Sequence, residues 1–226
     1  MQRHSDERAF TLIEILVVMT LIAILMGIGY PAFTSVMEQA RKTQAKNEEQ
    51  QIVAAVNAYY TDYGKYPLPA GTATDTTYGF GGTSNGELFY TLRAVNGGTM
   101  NAANAANPRA IVFIQPPVSK DQTTPRSGIQ ITTSIWYDPW GSPYNIAVDG
   151  NYNNIVRAPN YTDLAATYAT ATDGSGDVGV RTGVIAWSFG KNGVLGGGAA
   201  GVGVGFTSEG GSAGKFTASG DVISWQ

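Results

Sequence analysis

Polar and apolar positions divide the chain into three zones. Residues 1–9 are hydrophilic, residues 15–37 carry no charge, and the remainder alternates between short apolar runs and turn-forming residues. The uncharged zone, Ile15 to Met37, is 23 residues long, which exceeds the ~20 residues needed to cross a hydrocarbon core. Ile15 to Met19 and Leu21 to Met26 offer no polar side beyond Thr20, whereas a buried core helix of a soluble protein seldom stays apolar all round. The pattern therefore predicts a single membrane anchor. Beyond it, Ile52, Val56, Tyr59 and Tyr63 recur at helical spacing and mark one buried stripe. Glu38 and Lys42 stand in the favourable i, i+4 order. Asp62-Tyr63-Gly64-Lys65-Tyr66-Pro67 then reads as a stop, with Gly64 as C-cap and Pro67 shortly after. A helix from Phe10 to Tyr63 would run ~80 Å at 1.5 Å per residue. Within it Gly27, Gly29 and Pro31 interrupt the pattern, and Pro31 removes a backbone donor, so a kink or melted turn is expected there.

After the helix comes a stretch rich in Gly, Thr, Asn and Ala, from Ala70 to about Asn107, broken by Glu87 to Arg93, which reads as one short helix between loops. Strand signals come next at Ala110 to Ile114 and Ile129 to Thr132, each bounded by Pro or Gly. Asp138-Pro139-Trp140-Gly141 reads as a tight turn: the Asp side chain accepts from nearby N–H groups, Pro fixes φ, and Gly permits φ > 0. With Pro143 and Tyr144 it makes a packed corner rather than a carbohydrate platform. Asp149 to Asn153 and Asp173 to Asp177 place oxygen-bearing residues at alternate positions, but each lacks the closing Glu of an EF-hand loop and reads as a surface turn.

Chemistry enters with one residue. Glu14 stands at the start of the apolar zone, and a carboxylate is retained at membrane depth only where a partner awaits it. The best partner is a free amine, which cleavage between Ala9 and Phe10 would create. A secretory signal is cut after its apolar core; a cut here leaves the apolar segment attached. The leader's Arg3 and Arg8 offset Asp6 and Glu7, so residues 10–226 keep the full-length formal charge of −3, and no basic face calls for nucleic acid. There is no Cys, hence no disulfide, thiol nucleophile or Cys-based metal site. The one His is His4, in the leader, so residues 10–226 lack the commonest general base. Ser-His-Asp chemistry is excluded, and no small-molecule substrate is suggested.

Phe10-Thr11-Leu12-Ile13-Glu14-Ile15-Leu16-Val17-Val18 resembles the class III signal of type IV pilins and type II secretion pseudopilins. The resemblance implies that a prepilin peptidase cuts between Ala9 and Phe10, that the new Phe10 amine is N-methylated, and that Glu14 neutralises the Phe10 amine of a neighbouring subunit. It also implies a loosened helix at Pro31 within the filament. Two features depart from the pattern: Ala9 stands where Gly is usual, and the leader has no net positive charge. Tyr60 to Pro67, the Asp138-Pro139-Trp140-Gly141-Ser142-Pro143-Tyr144 turn, Ile185 to Gly193 and Asp221 to Trp225 are similar, more narrowly, to the major pseudopilin family, the G subunit of type II secretion. That family binds calcium between its last two segments. Asp221, Asn192 and Glu209 are the candidate ligands here, with Asn192 where Asp is usual and a Gly-rich insert at 196–215.

The resulting expectation is an α+β chain with the type IV pilin fold: leader 1–9, transmembrane and filament-core helix 10–37, amphipathic continuation 38–63, and a globular periplasmic domain 64–226 whose antiparallel sheet of three or four strands packs on the helix. The function implied is structural, a non-enzymatic subunit of a pseudopilus that drives secretion across the outer membrane. Its expected partners are copies of itself, minor pseudopilins, an inner-membrane platform and the peptidase, in the inner membrane as a single-pass protein. A type IV pilin for adhesion or motility is the alternative. An anchored enzyme or binding module is the remote one.

Overall fold

The computed structural model describes residues 11–79, 81–157, 179–192 and 220–225, with the backbone alone for 28–32 and 192. The chain forms two compact units, residues 1–41 and 42–226. α1 is one helix, Leu12–Tyr63. It stays helical across Pro31, without the melted turn expected there. In the first unit its large apolar side chains face outward, from Leu12 at 89% exposed to Val36 at 66%. Thr20 returns its hydroxyl to the carbonyls of Leu16 (3.0 Å) and Val17 (2.8 Å), which draws that polar group onto the helix's own backbone. Glu38 meets Arg41 at 3.9 Å, one residue short of the Lys42 that the spacing favoured.

In the second unit the predicted stripe is the core face: Ile52, Val56 and Tyr59 are buried, and Tyr63 packs against them. Gly64 ends α1 as expected, with φ +67° and its N–H donating to the Tyr60 carbonyl at 2.8 Å, a left-handed cap that any side chain would strain. Beyond it run β1 (Thr76–Tyr78), α2 (Asn85–Leu92), β2 (Gly128–Ile129), β3 (Trp136–Tyr137), β4 (Asn145–Val148), β5 (Val156–Arg157), β6 (Gly179–Val180), β7 (Val184–Ser188) and β8 (Val222–Ile223). β1, β4, β7 and β8 form an antiparallel sheet in the order β1-β4-β7-β8, within the predicted strand number. β2 with β3 and β5 with β6 are separate two-stranded ribbons.

Both faces of the main sheet are buried. Tyr78, Ile146, Val148, Val184, Ala186 and Val222 join the stripe of α1 and Leu88, Phe89 and Leu92 of α2 in one core. Ala147, Ile185, Trp187 and Ile223 point the other way and cluster with Val156 and Phe189. Alternation along each strand sends neighbours to opposite cores, and the nearly unbroken apolar run Val184-Ile185-Ala186-Trp187 reflects burial on both sides.

The strand expected at Ala110 to Ile114 is absent. Ala110 sits at φ +50°, Ile111 N–H donates to Asn107 Oδ1, and the Phe113 N–H is taken by the Leu92 carbonyl, so these donors anchor a loop instead of a ladder. The strand expected at Ile129 to Thr132 shortens to β2, because residues 131–133 turn. The stretch from Ala70 to Asn107 holds the predicted short helix, α2, capped by Ser84 through Gly86 N–H, and also β1, which its Gly/Thr composition concealed. Asn107 fixes its far end: its amide donates to the carbonyls of Thr91 (2.8 Å) and Ile111 (2.7 Å) and accepts from the Tyr63 hydroxyl (2.6 Å).

Candidate functional site

The helix start carries the first candidate site. Thr11 is the residue before α1 and Glu14 lies in its first turn. Glu14 Oε2 accepts from the Thr11 backbone N–H at 2.8 Å and from its hydroxyl at 2.7 Å, while the Glu14 N–H donates to Thr11 Oγ1 at 3.3 Å. This reciprocal arrangement is a capping box, which satisfies donors that a helix N-terminus otherwise leaves open. Thr11-x-x-Glu14 is its sequence signature, hidden within the motif read for other reasons. Around it Leu12, Ile13, Ile15, Leu16, Val17 and Val18 are all exposed, so one carboxylate sits amid an apolar surface. Ala9 and Phe10 lie outside the described residues.

The turn at Asp138 is the second. Its Oδ1 accepts from the N–H groups of Trp140 (2.9 Å), Gly141 (2.7 Å) and Ser142 (2.8 Å), and Gly141 adopts φ +105°. Its Oδ2 accepts from the Ser188 hydroxyl at 2.5 Å, which ties the turn to β7. Burial pushes the Asp138 carboxyl upward against the pull of these donors, Ser188 first. Trp136 and Tyr144 flank the turn fully buried, edge to face at 5.6 Å, with Phe89 of α2 edge to face on Trp136 at 5.2 Å. Pro143 pairs with Tyr137 across the corner. Trp140 packs on the core beside them. The packed corner expected at these residues is the arrangement found.

A cluster that the sequence pattern did not announce stands opposite this turn, on α1. Glu48 is 6% exposed and Glu49 0%. The Tyr144 hydroxyl donates to Glu48 Oε2 at 2.5 Å, and Gln44 donates to its Oε1 at 2.8 Å. Neither oxygen of Glu49 has a hydrogen-bond partner. Burial raises both carboxyls, Glu49 far above the usual carboxylate range; the Lys46 ammonium and the Ser188 N–H favour its charged form without closing a bond to it. Lys46 itself donates to the Ile223 carbonyl of β8 at 2.6 Å, and burial lowers its ammonium. A signal was present: Ala45, Glu49, Ile52, Val56, Tyr59 and Tyr63 step by four and three along one face, so Glu49 occupies a core position of the stripe.

Of the calcium candidates, Asp221 is buried at the start of β8, 5% exposed. Glu209 and the Asn192 side chain lie outside the described residues. Among the described residues no group of three or more His, Cys, Asp or Glu is placed to hold a metal. In the loop at Asp149 the oxygens turn inward on their own backbone: Asp149 Oδ1 accepts from Tyr152 N–H (2.6 Å) and Oδ2 from Asn154 N–H (2.7 Å), as a surface turn requires. The Asp173 to Asp177 cluster lies outside the described residues. No helix among the described residues is long and apolar enough to cross a membrane; the uncharged zone contains residues 28–32, of which only the backbone is described.

A long N-terminal helix that packs further on against an antiparallel sheet is the α+β arrangement of a pilin fold. Residues 4–30 match the family model of the prokaryotic N-terminal methylation motif. The chain is 40% identical over 67 residues to the type II secretion system core protein G of Pseudomonas aeruginosa, covering 30% of this chain and 46% of that protein. It is 29% identical over 99 residues to the fimbrial protein EcpC of Eikenella corrodens, covering 44% of this chain and 61% of that protein. The chain thus spans less than two thirds of either relative. No solved structure matches it.

Proposed function

We propose that the chain is a structural subunit of a secretion pseudopilus, held in the inner membrane by the first part of α1 with its second unit in the periplasm. The observation that carries this is Glu14, capped at the helix start inside the matched methylation motif. A peptidase cuts between Ala9 and Phe10, the Phe10 amine is methylated, and subunits stack as Glu14 meets the amine of a neighbour. The capping geometry supports that step: both Thr11 bonds fall on Oε2, which leaves Oε1 as the oxygen that a second donor can reach. Glu14 then serves its own helix and a neighbour's terminus together. The partners in this reading are further copies of the chain, minor pseudopilins, an inner-membrane platform and the peptidase.

The similarity to a core secretion protein, at higher identity than to the fimbrial one, favours the pseudopilus over an adhesive pilus. The test is co-expression with and without a prepilin peptidase, followed by mass spectrometry of the N-terminus and microscopy of filaments. A chain beginning at methylated Phe10 is expected, and Glu14→Ala should insert yet form no filaments while Glu14→Asp forms some. A terminus still at Met1, or normal filaments from Glu14→Ala, would defeat the reading. Calcium at Asp221 with Asn192 and Glu209 is proposed separately; a rise in melting temperature on adding calcium, lost in Asp221→Asn, is its expected mark, and no shift removes it.

A further inference from the structure

Glu49 occupies a core position of the α1 stripe, fully buried, with no hydrogen bond to either oxygen. Around it stand Lys46 and Glu48 on α1, Asp138 in the turn, Tyr144 just beyond it, and the Ser188 N–H of β7. The other two acids of the cluster are provided for: Glu48 by Tyr144 and Gln44, Asp138 by three backbone N–H groups and Ser188. The Lys46 ammonium is already engaged by the Ile223 carbonyl. A charged Glu49 would therefore add a second or third negative charge to a dry cluster whose cation is shared. As the neutral acid it packs like the Ile and Val further along the stripe.

We propose that Glu49 is a proton-operated latch between α1 and the β7–β8 side of the sheet. Protonated, it lets the helix close on Ser188 and lets Lys46 hold Ile223; deprotonated, it must reach water, and it does so by a local opening of that seam. A carboxyl whose native value is raised stabilises the closed state fully below the unfolded value, and that stability is lost as pH climbs toward the native one. Burial sets the direction here. Over that interval the opening equilibrium rises about tenfold per pH unit, since each proton released favours the open form.

Amide hydrogen exchange on the full chain in detergent micelles, at pH 5 and pH 8 and corrected for intrinsic exchange, reads the latch. Protection at residues 184–188 and 222–223 is expected to fall by at least tenfold at the higher pH, relative to residues 76–78 on the opposite side of the sheet. Glu49→Gln, which keeps the shape without the proton, and Glu49→Leu, which fills the stripe, should each flatten this difference. Glu48→Gln should leave most of it, because Glu48 has donors of its own. A flat wild type, a Glu49→Gln or Glu49→Leu chain that keeps the full pH effect, or its loss in Glu48→Gln alone would each overturn the proposal.

Discussion

Glu14 and Glu49 lie on the same helix, each set among apolar residues, and the chain treats them differently. Glu14 is on the surface, and Thr11 supplies two donors from the turn before it, so its carboxylate is held ready and still accessible. Glu49 is enclosed, has no donor within hydrogen-bond distance, and is pushed by burial toward its neutral form. Hydrogen bonds to the charged form and burial are the two opposed ways to bias a carboxyl. In the first unit the carboxylate is exposed and bonded to Thr11. The second uses burial to suppress a charge inside.

The contrast breaks most sharply at Asp138. Asp138→Ala strands three part-buried N–H groups and the buried Ser188 hydroxyl, a buried one being worth about 1–3 kcal/mol when unsatisfied; a loss of about 3 kcal/mol in unfolding free energy is expected by denaturant titration, with membrane insertion unchanged. Glu14→Ala should do the reverse, abolishing filaments while the tryptophan-monitored melting of the second unit stays the same. Tyr144→Phe removes one donor from Glu48 and should cost about 1–3 kcal/mol, with the loss growing as pH rises because Glu48 is raised by burial and is then harder to keep charged. The smallest effect is assigned to Thr11→Val: filaments are expected to form at reduced yield, since Glu14 loses the Thr11 hydroxyl but keeps the backbone N–H at the same position. If Thr11→Val equals Glu14→Ala, the cap and the pair are one function rather than two.

Local chemistry made much of this legible in advance. The stripe of α1, the cap at Gly64, the turn at Asp138 and the apolar run of β7 each depend on near neighbours, and each is where the pattern put it. Ala110 to Ile114 misled because its apolar composition suits a strand, whereas its N–H groups are claimed by Asn107 and Leu92, positions that no periodicity reports. β1 was hidden for the converse reason: Thr76-Thr77-Tyr78 has little apolar content, and its place in the sheet comes from pairing with β4 some seventy residues on. Glu49 is in plain register with Ile52 and Val56, but a charged residue on a helix is usually solvated, so its type conceals its place in the core.

The bond from Lys46 Nζ to the Ile223 carbonyl joins residues 177 apart in sequence, and it bears on the order of events during folding. Among the described residues β8 pairs with β7 alone, and its partner on the helix was synthesised long before it. Contacts of such separation are made late, because the intervening chain must be ordered first. The second unit therefore cannot finish folding until residue 223 is in place, and until then the sheet along the second half of the helix is incomplete.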